Sequence, residues 1–225
     1  MKKSLTILAF LTALALPLTA QDWSIGVGTG AFVFGDFVER RVRPVAGGET
    51  DGPTIQTLSA GTRPGLLVDI ERVLSDRWAI RFEGAFTRAP LAVKEEGDGS
   101  DEDFELDAGD LDVATFMLPI VFRINTGGTF RFHIMGGPAY AIYRPVGREN
   151  TDATITVFED TRSEWGAAAA VGAAWHVSNR FAVEAAIADI VTSSPFDRDD
   201  FPDVPGIDIP KPHNIHTTFG IRYRF

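Results

Sequence analysis

The sequence has no cysteine among its 225 residues, which excludes a disulfide framework, thiol chemistry and thiolate metal sites. After residue 20 it has no apolar run near the roughly 18 residues that a membrane-spanning helix needs. Cations are in deficit. With 21 Lys and Arg against 31 Asp and Glu the net charge is −10, a poor match for nucleic acid. Helix signals are scarce as well. The alanine-rich stretch 166–174 is interrupted by Gly166 and Gly172 and bracketed by Trp165 and Trp175, so propensity alone does not make it a helix.

What is present begins with "MKKSLTILAFLTALALPLTA": two lysines, an apolar run from Leu5 to Leu18 and a small residue at Ala20. That layout predicts a secretory signal peptide over residues 1–20 and a mature domain over 21–225. Hydrophobic content of 44% is ordinary for a soluble protein, so the spacing of those residues carries the information.

The spacing is period 2. In "NIHTTFGIRYRF", Ile215, Thr217, Phe219, Ile221, Tyr223 and Phe225 alternate with His216, Thr218, Gly220, Arg222 and Arg224. "RWAIRFEGAF" sets Trp78, Ile80, Phe82 and Phe86 against Arg81 and Glu83. "TFRFHIMGGPAYAIY" sets Phe130, Phe132, Ile134, Tyr140 and Ile142 against Arg131 and His133. Each reads as a strand with one apolar and one polar face. "WSIGVGTGAFVF", "PGLLVDIERVL", "ATFMLPIVFRI", "EWGAAAAVGAAWHV" and "RFAVEAAIADIV" bring the set to eight. Trp165 and Trp175 bracket roughly ten residues, the span between two aromatic girdles. Trp78, Phe130, Trp165, Trp175, Phe181 and Tyr223 are the expected girdle residues.

Connections alternate in length. "SDR", "NTGG" and "SNR" are short, whereas roughly 35–64, 90–110, 145–163 and 194–213 are long; 35–64 and 150–160 have room for further strand pairs. Eight strands with one apolar face each, and no helix or second layer to cover them, are stable in lipid only as a closed sheet. The expected fold is all-β: a closed antiparallel up-and-down transmembrane β-barrel of eight strands. A lumen of that size is filled by side chains.

Two segments carry a family resemblance. "MLPIVFRINTGGTFRFHIMGGPAYAIY" contains an internal Pro119 and then Gly136, Gly137 and Pro138, and "FGIRYRF" ends on Phe225. They resemble the central hairpin and terminal strand of the small outer-membrane β-barrel group, the OmpA-like, OmpX-like and opacity-protein-like barrels. The resemblance implies localisation in the cell outer membrane of Gram-negative type and insertion by the barrel-assembly machinery, with Phe225 as assembly signal. It also implies outer-membrane lipid and lipopolysaccharide as partners and a possible surface ligand for the loops. No periplasmic domain is expected after the barrel.

The expected lumen face collects Asp69, Glu71, Arg81, Glu83, Arg123, Arg131, Glu184, Arg222 and Arg224, with His133 and His176 beside them. Five arginines against four carboxylates predict a salt-bridged plug. The segment "KEEGDGSDEDFELDAGDLD" (94–112) holds ten acidic residues without EF-hand spacing. It reads as a solvated acidic surface loop, with weak divalent-cation binding as the functional alternative. "GVGTGAF" lacks the strand–loop–helix context of a phosphate loop, so Gly26, Gly28 and Gly30 read as small lumen residues. "FPDVPGIDIPKPH" (201–213) reads as a stiff outer loop whose Phe201, Ile207 and Ile209 are available to a partner.

"WHVSNRFAVE" (175–184) is similar to a motif of lipid A deacylases, through His176, Ser178 and Asn179. However, "VLSDRWAI" (73–80) repeats its Ser-[Asp/Asn]-Arg-aromatic-Ala pattern with Val73 in place of the histidine. Two equivalent tight turns account for both. The sequence therefore predicts no catalytic, cofactor-binding or metal-ligating residue. The expected function is a non-enzymatic outer-membrane protein, structural or adhesive through its loops. The alternatives are a narrow, porin-like channel for small or apolar solutes and a barrel-embedded lipid A hydrolase.

Overall fold

A computed structural model describes residues 23–42, 54–97, 104–146, 160–201 and 206–225. The alternating segments form strands β1 (Trp23–Val33), β2 (Asp36–Val42), β3 (Thr54–Ala60), β4 (Arg63–Val73), β5 (Trp78–Gly97), β6 (Phe104–Met117), β7 (Ile120–Arg123), β8 (Phe130–Val146), β9 (Arg162–His176), β10 (Phe181–Thr192), β11 (Ile207–Asp208) and β12 (His213–Arg224).

Eight staves close a ring in the order β1, β4, β5, β6 with β7, β8, β9, β10 and β12, every pair antiparallel. The seam joins the first and last described strands, β1 and β12, from Ser24 opposite Arg224 to Val33 opposite Ile215. Phe225 N–H donates to the Trp23 carbonyl at 3.1 Å, so the last residue is tied into that seam.

Burial runs opposite to a soluble sandwich. Leu66 is 67% exposed, whereas Asp69 on the same strand is 5% exposed. Ile25, Val27, Val68, Phe82, Ile134, Val171, Ile187 and Phe219 all face outward. A patch of this extent encircling the sheet is a lipid-facing wall.

One stave is broken at Leu118–Pro119. Proline offers no N–H to a ladder, and Pro138 faces the same gap from β8. Leu118 N–H donates to the Pro138 carbonyl, and Arg81 N–H to the Pro119 carbonyl, both at 3.1 Å. The strands come close here, because a Cβ on Gly137 would lie 2.5 Å from the Leu118 carbonyl oxygen.

One end of the barrel has the short turns 74–77, 124–129 and 177–180. At the other, β2 and β3 form a hairpin between β1 and β4, and β3 pairs with the far half of β5. This places strands within 35–64. The acidic segment 94–112 differs from its expectation: β5 continues to Gly97 and β6 starts at Phe104, so most of it is a paired ribbon above the wall. Acidic side chains hide the alternation there, while β3 supplies an additional partner strand. "ATITVF" (153–158) lies outside the described residues.

Candidate functional site

Three layers fill the lumen between the short-turn and long-loop ends. In the middle layer, β4, β5, β10 and β12 turn Asp69, Glu71, Arg81, Glu83, Glu184 and Arg222 inward. Arg81 is the hub. Its Nε and Nη2 donate to Glu71 at 3.0 and 2.7 Å, and its Nη1 donates to Glu184 at 2.6 Å. Asp69 and Glu83 stand further off, at 3.8 and 4.0 Å. Arg222 donates to Glu184 at 2.7 Å and contacts Asp69 at 2.7 Å. Arg123 donates to the other Glu71 oxygen at 2.6 Å, and His133 Nε2 lies 3.3 Å from Glu184. The wall makes room for these groups: a Cβ at Gly26 would collide with the Asp69 carboxylate.

Toward the short turns the layer opens into a cavity of about 340 Å³. Arg123, Arg131, His176, Arg180 and Arg224 line it. Among the described residues Arg131 makes no ion pair, and its Nε is buried without a hydrogen-bond partner. The near balance of five arginines and four carboxylates therefore has a direction. Three of the five, Arg81, Arg123 and Arg222, hold the carboxylates, whereas Arg131 and Arg224 lie at the mouth.

Toward the long loops the lumen is apolar, which the sequence reading missed. Phe32, Phe34, Phe37, Leu58, Leu91, Leu111, Val113, Tyr143 and Phe196 are buried in one cluster. Phe37 meets Tyr143 edge-on at 5.7 Å and Phe196 at 6.0 Å. Ser194 Oγ donates to the Phe37 carbonyl at 2.8 Å. Arg162 holds the same segment from outside, donating to the Pro195 carbonyl at 2.7 Å and to Asp200 at 2.5 and 2.6 Å. The hydrogen bonds from Arg162 keep the Asp200 carboxyl below its ordinary pKa. Phe201 and Ile207 pack against this cluster, so neither stands free for a partner as the Pro-rich tract suggested.

The girdle residues lie on the outer wall in pairs. Phe130 stacks with Trp175 at 6.0 Å, Trp78 meets Phe122 at 4.7 Å, and Tyr223 packs between Phe181 and Phe225 at 5.1 and 5.3 Å. These ring the short-turn end. At the other edge Trp165 meets Tyr140 at 4.8 Å. Above it, on the same outer face, Arg88 and Arg144 each bond Asp112 at 2.6 Å. The Arg88 hydrogen bond holds that carboxyl below the usual carboxylate range.

The segment around Ser178 is a turn with a twin. Val177 and Ser178 N–H donate to the Phe181 carbonyl at 3.0 and 3.1 Å; Leu74 and Ser75 N–H donate to the Trp78 carbonyl at 2.8 and 3.1 Å. Ser178 Oγ accepts from Phe181 N–H at 3.0 Å, and Ser75 Oγ from Trp78 N–H at 3.2 Å. Both serines cap their turns. Among the described residues, no cluster of three or more His, Asp or Glu has metal-site geometry.

A closed antiparallel ring with an apolar outer wall, aromatic girdles and a filled polar-to-apolar lumen defines a transmembrane barrel of outer-membrane type. The chain belongs to the outer membrane protein beta-barrel domain family, whose description it matches over residues 6–225. A comparison with curated proteins returns no match. Among solved structures, OprG from Pseudomonas aeruginosa is similar at 14% identity, with 91% of this chain and 98% of that one covered and a TM-score of 0.55. The outer membrane protein AlkL is similar at 17% identity, with 93% and 92% covered and a TM-score of 0.54. The outer membrane protease OmpT of Escherichia coli shares 13% identity over 93% and 99% at 0.48, which carries no argument about chemistry. These likenesses establish the fold. The family places the chain in an outer membrane, and barrels of this type carry their short turns on the periplasmic side.

Proposed function

We propose that this protein is a non-conducting, non-enzymatic outer-membrane barrel that acts through its extracellular surface, in a structural or adhesive role. The observation that carries the reading is the filled lumen. Phe37, Tyr143 and Phe196 are at most 1% exposed in the outer half, and Arg81 is 3% exposed at the centre. An apolar cap in series with a buried ion network favours a plug over a water path. Ser178 spends its hydroxyl on a turn, which favours the non-enzymatic reading. Export by the leader over residues 1–20, a single domain over 21–225, the barrel-assembly machinery and lipopolysaccharide as partners belong to the same proposal.

Planar-bilayer recording of the purified protein tests it. The expected result is no stable conductance from the wild type. Steady single-channel steps at neutral pH would overturn the plug and leave the channel reading in its place.

A further inference from the structure

We propose that the periplasmic vestibule is an oxyanion-binding site, taking a phosphate or carboxylate group that enters between the short turns. Six arginines and three carboxylates line this cavity of about 340 Å³. Two of the carboxylates, Glu71 and Glu184, are already held by Arg81, Arg123 and Arg222. Asp76, on a turn at the mouth, is the third. The lining therefore gathers more arginines than carboxylates around one space, and Arg131 among them has no ion pair among the described residues.

Arg131 is the focus of that surplus. It projects from β8 opposite Ala174, whose small side chain leaves the space open. Its Nε is withdrawn from solvent yet has no acceptor. A buried guanidinium donor without an acceptor costs stability, and cations converging without an anion cost more. An oxyanion seated against Arg131 relieves both, because a guanidinium fork matches two oxygens of a phosphate or carboxylate. Arg123 and Arg224 flank it, and Arg180 at the mouth draws anions in. The volume lies at the lower end of small-molecule sites, which suits a small polyanion rather than a drug-sized ligand.

The site extends beyond the plug reading, because a blind vestibule below a closed lumen can bind without conducting. The test is calorimetric titration of the full, folded protein in the uncharged detergent octyl glucoside, with inorganic phosphate and citrate as separate probes. Saturable binding of at least one probe is expected. Arg131→Gln is expected to weaken it about ten- to a hundredfold, the loss of one charge-assisted contact. Arg131→Lys is expected to restore part of it. Arg144→Gln, on the outer wall, is expected to leave it unchanged. Because Arg131 makes no ion pair among the described residues, its removal strands no carboxylate there, and retained gel mobility of the unboiled variant verifies the fold. Arg180→Gln provides a second variant at the mouth, expected to weaken binding less. No saturable heat with either probe, or equal binding by wild type and Arg131→Gln, overturns the proposal.

Discussion

Replacing Arg81 with methionine removes the hub of the buried network while keeping much of the side chain's volume. Arg81 is 3% exposed and closes two contacts below 3 Å, to Glu71 at 2.7 Å and to Glu184 at 2.6 Å. Each contact has a Coulomb energy of about 4 kcal/mol at the effective dielectric of protein sites. Desolvation offsets part of that, and breaking a buried pair from one side costs about 3–5 kcal/mol. The folded-to-unfolded ratio should then fall by about two to three and a half orders of magnitude. The assay is urea unfolding of the protein inserted in vesicles, followed by the fluorescence of its four tryptophans. Glu83 provides the contrast, because its nearest guanidinium nitrogen on Arg81 is 4.0 Å away. Glu83→Gln should stay within about 0.5 kcal/mol of wild type, the range for changes that break no close contact. A loss below about 1 kcal/mol for Arg81→Met, the level of an exposed pair, would refute the hub.

Three further outcomes follow from the wall, the broken stave and the outer latch. Val171 faces lipid between Ile134 and Ile187, so Val171→Arg should cost about 2–4 kcal/mol in the same unfolding assay, while Trp165→Arg at the interface should cost about 0–1 kcal/mol. Equal costs would contradict the assigned depths. Gly137→Ala drives a methyl group to 2.5 Å from the Leu118 carbonyl oxygen and should cost about 1–3 kcal/mol, whereas Gly136→Ala meets nothing closer than 3.7 Å and should be tolerated. Gel mobility and urea midpoints distinguish the two. The Asp200 carboxyl has its pKa depressed by Arg162, so its contribution is present above about pH 3.9, the unfolded value, and is lost as pH falls through the lower folded value. Asp200→Asn should therefore cost about 1–3 kcal/mol near neutrality and nothing once acid has protonated the wild type. A deficit that persists unchanged into acid would remove Asp200 ionisation from the latch.

The wall was legible because alternation and environment agree there. Ile25, Val27, Leu66, Val68 and Ile70 face one solvent while Ser24, Leu67, Asp69 and Glu71 face another. The agreement fails at both ends of the lumen, for different reasons. In the outer half the lumen is itself apolar, so a stretch such as "LDVATFM" carries apolar residues on both faces and loses its period. Phe37, Tyr143 and Phe196 meet there although 37 and 196 are far apart in sequence, and no local pattern signals such a meeting. In 94–112 the opposite occurs. Charge masks strands that pair with each other and, on the far side of β5, with β3, a neighbour outside the eight-stave pattern. Composition gave a nearly neutral lumen. What composition could not contain was position along the barrel axis, which puts Arg131 and Arg224 below the carboxylates rather than among them.

The three layers also differ in when they can form. The turns at 74–77 and 177–180 close hairpins between sequence neighbours and depend only on local hydrogen bonds. The seam between Ser24 and Arg224 joins the two ends of the described chain, the most expensive loop closure in the fold. The apolar cap draws on both sides of that seam, from Phe32 in β1 and Phe37 in β2 to Phe196 before β12. It can pack only once the ring is shut. The Arg81 network likewise spans β4, β5, β10 and β12: Arg81 meets Glu71 and Arg222 meets Glu184 on adjoining strands, and closure adds Arg81–Glu184 and Arg222–Asp69 across the seam. Both interior layers therefore gain contacts in the closed ring that an open sheet lacks. That coupling explains how a chain with no disulfide and no continuous apolar core holds its first strand to its last.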